Sequence, residues 1–267
     1  MSAVSASPSS RSVWRTVALP AEHGGWGLTL EPALLGVLVA PSWAGVAIAL
    51  AAFLAFLART PLKVVLVDRH RHRQLERTRV AAVVAGTELM MIAILVVAAL
   101  VQAGATWMIP LAIALPLFGV ELWFDARSRS RRLLPELCGA IGIAAVVSAI
   151  VLADGRSGTL AVALWTILAA RAIASVTFAR GQVLRLRHGA SSTVTNDVAQ
   201  AVGLAIAIVA GLVDASVWLG AVCVLAVIAV QFAWSRGPAR PAMVVGIWQM
   251  VFGLVVVAGT AVGVTLG

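Results

Sequence analysis

Charge is what this chain has least of. Of its 267 residues only 12% are Asp, Glu, Lys or Arg, tyrosine is absent, and lysine occurs once, at Lys63, among twenty basic residues. So little charge excludes an ordinary soluble domain, in which charged residues make up about a quarter of the chain. There are two cysteines, Cys138 and Cys223, each inside an apolar run. That excludes a disulfide framework or a cysteine-built zinc site, which need more thiols at closer spacing; the pair reads as small packing residues. The lack of tyrosine and near-lack of lysine reflect genomic base composition and carry no functional message. No continuous apolar core followed by a small-residue cleavage site lies around Arg11 and Arg15, so the start of the chain does not read as a signal peptide.

What is present is apolar: 61% of the residues, at a mean hydropathy of +1.00. A bilayer span takes about 17–25 predominantly apolar residues. Segments of that kind are expected at 25–41, 43–62, 80–102, 106–124, 134–153, 158–179, 197–213, 215–234 and 242–264, the first and seventh being the shortest or most polar. The expected fold is all-α, a polytopic transmembrane bundle of about nine helices. Residues 1–19, opening with the small polar MSAVSASPSSRS, are expected to be a disordered tail. Residues 20–267 form the multi-pass membrane domain, whose first span is the uncleaved insertion signal.

The net charge is +9. No nucleic-acid motif accompanies it, so nucleic acid is not an expected partner; the lipid bilayer is. Basic residues fall in alternate loops: Arg11 and Arg15 before the first segment, Arg59, Lys63, Arg69, Arg71, Arg73, Arg77 and Arg79 around the second and third, Arg127, Arg129, Arg131 and Arg132 between the fourth and fifth, Arg180, Arg185 and Arg187 after the sixth, Arg236 and Arg240 before the ninth. The intervening loops hold only Arg156. The positive-inside rule then places the amino terminus in the cytoplasm and the carboxyl terminus outside, in the cell's inner (plasma) membrane.

Polar groups inside the segments are the candidate functional residues, because a charge at mid-bilayer costs at least about 2.5–3.5 kcal/mol. Glu31, Glu88, Arg171 and Gln249 lie well inside; Glu121, Asp125, Glu136, Asn196 and Asp197 lie near the ends. All are in the half facing the cytoplasm, as for a cavity open to that side; a through-channel would be polar along its whole length. Two readings stand for the deep charges: a structural ion pair of Arg171 with Glu88 or Glu31, or a substrate site.

Two cytoplasmic loops are dense in arginine, from Val67 to Arg79 and from Phe178 to His188. They suit anionic lipid headgroups or closure over an anionic ligand, for which the forked guanidinium is well shaped. His70 and His72 alternate with arginines that repel a cation, so no metal site is expected. Glu22 and His23, followed by Gly24, Gly25 and Trp26, form a special turn at the entry to the first span.

The opening Pro20-Ala21-Glu22-His23-Gly24-Gly25-Trp26-Gly27, with Glu31-Pro32 behind it and Phe56-Leu57-Ala58-Arg59-Thr60-Pro61-Leu62 ending the second segment, resembles the YwiC-like family of bacterial membrane proteins. That resemblance implies a membrane protein and no defined activity. More distantly, the span order and the two loops after segments two and six resemble the UbiA-type intramembrane prenyltransferases. Their first loop carries an Asn-Asp-x-x-Asp-type motif and an Arg-Thr step, which Asp68 and Glu76-Arg77-Thr78 echo. The aspartates that hold magnesium in that family are here largely Arg and His, and no further aspartate follows segment six until Asp197. A divalent ion needs several oxygen ligands. The resemblance therefore implies the arrangement of helices and leaves the magnesium-dependent chemistry in doubt; no cofactor is assigned.

Together these features lead to the expectation of a YwiC-like protein that binds or transfers an amphipathic isoprenoid-type lipid with an anionic head. In that reading Arg69, Arg73, Arg180 and Arg185 meet the head, Arg171 and Glu88 line the cavity with Glu31, and Glu22 and His23 gate it. The alternatives are a small-solute permease using Glu31, Glu88 and Arg171, and a non-catalytic assembly factor. The residues do not settle whether the chain is an enzyme.

Overall fold

A computed structural model describes residues 23–72, 75–127, 132–189 and 193–267. Among the described residues the chain forms nine α-helices, no strand, and one short 3-10 turn at Ala215–Val217. The helices are α1 His23–Val39, α2 Trp43–His70, α3 Glu76–Ala103, α4 Met108–Ala126, α5 Leu133–Ala153, α6 Gly158–His188, α7 Val194–Val213, α8 Trp218–Arg236 and α9 Ala242–Leu266. They follow the apolar segments one for one. Seven are long and apolar enough to cross a membrane; α1 and α4 are the shorter apolar pair. The seventh segment, expected to be weak, forms a full 20-residue helix.

Two helices, α2 and α6, run well past the ends of their apolar segments for a common reason. With 28 and 31 residues, α2 and α6 are about 42 and 46 Å long at 1.5 Å per residue, against a hydrocarbon core of about 30 Å. Hydropathy falls where the helix leaves lipid, but the backbone has no reason to stop there. α2 ends only where His72 takes a φ of 52° and Arg71 and His72 donate back to Val67 and Arg69. α6 ends at Gly189, whose φ of 78° a side chain would oppose. At the starts, Ser42 accepts from the Gly45 N–H at 3.0 Å and Ser157 from the Leu160 N–H at 3.2 Å, each satisfying an otherwise orphaned donor.

Apolar side chains line the bundle outside as well as inside: Leu115, Val101, Leu212, Met243 and Ile113 are all exposed. Lipid is the solvent for such a surface. The interior is built from small residues, which let helices approach closely where burial alone gives no preference over lipid. A Cβ at Gly36 or Gly45 would come within 2.8 Å of Ile150, and one at Gly203 within 3.0 Å of the Ala170 carbonyl.

α6 is the central post. It packs on α1, α5, α7, α8 and α9, and Leu164, Ile167, Ala163 and Ala170 on it have no exposed surface. Around it Leu35, Val147, Ala210, Val224 and Val256 complete the main core. A second core joins α2, α3 and α5 through Ala47, Ile48, Ala99, Ile150 and the buried Trp107. α3 packs chiefly on α2, and α4 on α5.

Candidate polar site within the bundle

The basic loops gather at one end. Arg185, in the last turn of α6, donates to the carbonyls of Ser235 and Gly237 at 2.6 and 2.7 Å, capping the C-terminal end of α8. Arg236 pairs with Asp197 at the start of α7 (3.1 Å), and Arg180 with Glu136 at the start of α5 (3.5 Å). Arg59 of α2 meets Glu121 of α4 at 2.7 Å. Asp68 is buried, and both its oxygens are engaged: Arg77 donates to them at 2.8 and 3.1 Å and the Thr78 hydroxyl at 2.7 Å. This clamp fastens the end of α2 to the start of α3. Asp68, the residue that echoes the prenyltransferase motif, is thus spent on the fold.

Deeper in, Arg171 and Glu31 face each other. Arg171 Nη2 donates to Glu31 Oε1 at 2.9 Å and to the main-chain carbonyl of Gln249 at 2.6 Å, and Nη1 donates to the Ser175 hydroxyl. Both side chains are nearly sealed, at 2% and 7% exposure. Arg171 lies about 20 Å along α6 from Gly158, counting 1.5 Å per residue, so the pair sits far from either helix end. Gly253 of α9 makes the approach possible: a Cβ there would overlap the Glu31 carboxylate and lie 2.9 Å from Arg171 Nη2.

From this pair a seam of amides leads toward the basic end. The Gln249 side chain accepts from Gln231 Nε2 at 3.3 Å. Gln231 Oε1 accepts from Gln200 Nε2 at 2.9 Å, and the same Gln200 nitrogen reaches Asn196 Oδ1 at 3.3 Å. Asn196 lines a cavity of about 20 Å³ with Gln182, Arg185, Thr193 and Ser235, room for about one water. The seam therefore joins α1, α6, α9, α8 and α7 in one polar line. Four of its atoms are buried without a partner: the donors Arg171 Nε, Gln249 Nε2 and Asn196 Nδ2, and the acceptor Gln200 Oε1.

The structure thus brings Glu31 to Arg171 and leaves Glu88 apart. Glu88 lies on α3, on the face shared with the buried Ala81 and Ala85, with Oε2 buried and unpartnered. Arg69 is exposed in the last turn of α2. Arg180 and Arg185 stand at the basic end with the partners given above. His23, Gly24 and Gly25, expected in a special turn, instead form the first turn of α1 as ordinary α-helix, while Glu22 and Arg73 lie outside the described residues. The sequence reading missed Gln182, Gln200, Gln231, Ser175 and Gly253. A glutamine inside an apolar segment was the available signal for Gln200 and Gln231, but a neutral amide stands out far less than a charge, and Gln182 lies among the arginines that follow segment six.

A family model described as YwiC-like protein matches residues 19–153. The chain belongs to the YwiC-like family. The YwiC-like match takes in Glu31, the Asp68 clamp and the helices from α1 to α5, and stops short of Arg171 and the amide seam. No curated protein and no solved structure matches the chain.

Proposed function

We propose that this YwiC-like integral membrane protein binds or transfers an amphipathic isoprenoid-type lipid whose anionic head sits at the basic end, with that end in the cytoplasm. The observation that carries the reading is the exposure of Arg69 and Arg187 at the basic end, from which a polar seam runs into the bundle. These two arginines supply the charge that draws the head in; Arg73 belongs to the same loop as Arg69. The apolar tail lies against α3 and α4, which pack on their inner neighbours α2 and α5. In this reading the chain shares with the UbiA-type proteins the order of helices and the two loops after the second and sixth. The use of Asp68 by Arg77 and Thr78 supports binding without that family's magnesium chemistry.

The test is thermal unfolding of the full chain in nanodiscs with farnesyl phosphate, since a ligand that binds only the folded state raises its stability. A rise that shrinks when Arg69 and Arg187 are both changed to Ala supports the reading; no rise at saturating lipid rejects it. A small-solute permease is the second reading, favoured by the ionic pair deep in the bundle. Accumulation of solute in proteoliposomes would select it.

A further inference from the structure

We propose that Arg171 is an oxyanion-binding site in which Glu31 serves as a built-in stand-in for the ligand. The inference deepens the lipid reading, on which it rests for the source of the anion. The chemistry it assigns is a phosphate or carboxylate group that enters along the amide seam and takes the place of the Glu31 carboxylate on Arg171.

The pair is not finished as a purely structural one would be. Arg171 offers Glu31 only Nη2, and that nitrogen is shared with the Gln249 carbonyl. Its Nε–H is buried and has no partner. A guanidinium binds carboxylate or phosphate best through two parallel N–H bonds, and here one half of the Nε–Nη2 edge is unspent. Buried donors normally find acceptors. The neighbouring orphans have the same sense: Gln249 Nε2 and Asn196 Nδ2 are also donors, against a single acceptor at Gln200 Oε1. An incoming group rich in acceptor oxygens fits this set, and a cation does not.

The amides mark the polar path an entering group would follow once their side chains separate, since they are packed against one another and the cavity at their outer end holds about one water. They run from the water-sized cavity at Asn196, through Gln200 and Gln231, to Gln249 beside Arg171. Such a line is a poor proton wire, because an amide neither accepts nor releases a proton readily near neutral pH. Its donors and acceptors instead solvate a polar group in transit without adding charge to the membrane interior. Gly253 gives the carboxylate room beside bare backbone, where a Cβ would overlap it.

The test uses the full chain in nanodiscs, with two probes, inorganic phosphate and farnesyl phosphate, and the variants Glu31→Gln and Arg171→Gln. Glu31→Gln removes the competing anion while keeping its shape. The apparent affinity for a probe then rises by the inverse of the fraction of wild-type molecules whose Arg171 is free, about tenfold for a fraction near a tenth. The expected result is that a probe raises the unfolding midpoint of Glu31→Gln more than that of wild type, and that Arg171→Gln loses this gain. A response to both probes assigns a free oxyanion as the source; a response to farnesyl phosphate alone assigns a lipid head. Equal responses in all three proteins keep the lipid reading and overturn the Arg171 site. No response in any protein rejects both.

A second measurement, on the wild-type chain, covers the case in which Glu31→Gln does not fold. Dicyclohexylcarbodiimide modifies neutral carboxyl groups in apolar surroundings. An oxyanion that takes over the pairing with Arg171 and enters together with a proton leaves that proton on the displaced Glu31 carboxyl, so the probe increases labelling of Glu31 and leaves that of Glu88 on α3 unchanged. Glu31 labelling that ignores both probes overturns the inference.

Discussion

Glu31 of α1 and Arg171 of α6, 140 positions apart in the chain, join at 2.9 Å with almost no exposure to the surroundings. Two charges taken out of water do not stabilise a fold merely by meeting. Their attraction has to recover a desolvation cost of several kcal/mol per ion, and removing one partner leaves the other uncompensated. Arg171→Leu is therefore expected to lose about 3–5 kcal/mol of unfolding free energy. The double variant Arg171→Leu with Glu31→Gln should recover a sizeable part of that loss. A double-mutant cycle on unfolding in detergent measures the coupling directly; strict additivity of the two changes would show that the pair does not act as one.

Gly253 allows a sharper test, because it changes neither charge. Gly253→Ala places a methyl group on the Glu31 carboxylate. The expected cost is that of overpacking, about 1–3 kcal/mol. Gly246 is one helical stretch earlier on α9 and has nothing within 4 Å of a Cβ. Gly246→Ala should stay within about 0.5 kcal/mol of wild type. Equal unfolding midpoints for the two variants would remove Gly253 from the account of how α9 admits the pair.

The Asp68 clamp predicts a local effect. Its carboxylate takes three hydrogen bonds from Arg77 and Thr78, and bonds to charged groups contribute about 1.5–3 kcal/mol each at most. Because Arg77 is half exposed, losing Asp68 strands no buried charge. Asp68→Ala should cost about 1–3 kcal/mol and speed amide exchange at the end of α2 and the start of α3, with α6 to α9 unaffected. Hydrogen-exchange mass spectrometry reads this by peptide. Uniform deprotection of the whole chain would mean that the clamp holds more than its own loop.

Much of this architecture is written in hydropathy. Lipid rewards an apolar run of fixed length whatever its neighbours are, so the starts of α2, α5, α6 and α9 coincide with the apolar segments to within a residue. The ends of α2 and α6 were not legible that way, because hydropathy marks where a helix leaves lipid and not where its backbone turns. The site was half legible. Arg171 and Glu31 stand out as charges among apolar residues. That Arg171 takes Glu31 and not Glu88 depends on α1 and α9 flanking α6 while α3 lies against α2, a matter of packing that no single segment encodes. Gln200 and Gln231 acquire meaning only through each other, 31 positions apart.

Orientation is the last prediction, and the lipid reading depends on it. Basic residues are retained on the cytoplasmic side when short loops are sorted during insertion, and the loops joined at the Arg185 and Arg236 end carry nearly all of them. In a variant with Cys138 and Cys223 changed to Ala, His188→Cys at the basic end and Thr159→Cys at the other end are both exposed positions. An impermeant maleimide added to intact cells should label Thr159→Cys and reach His188→Cys only after the membrane is permeabilised. The reverse pattern would put the arginines outside, where a headgroup delivered from the cytoplasm cannot reach the amide seam. Labelling of both without permeabilisation would mean that α6 does not span the membrane, and the pairing of Arg171 with Glu31 would then have to form in some other setting.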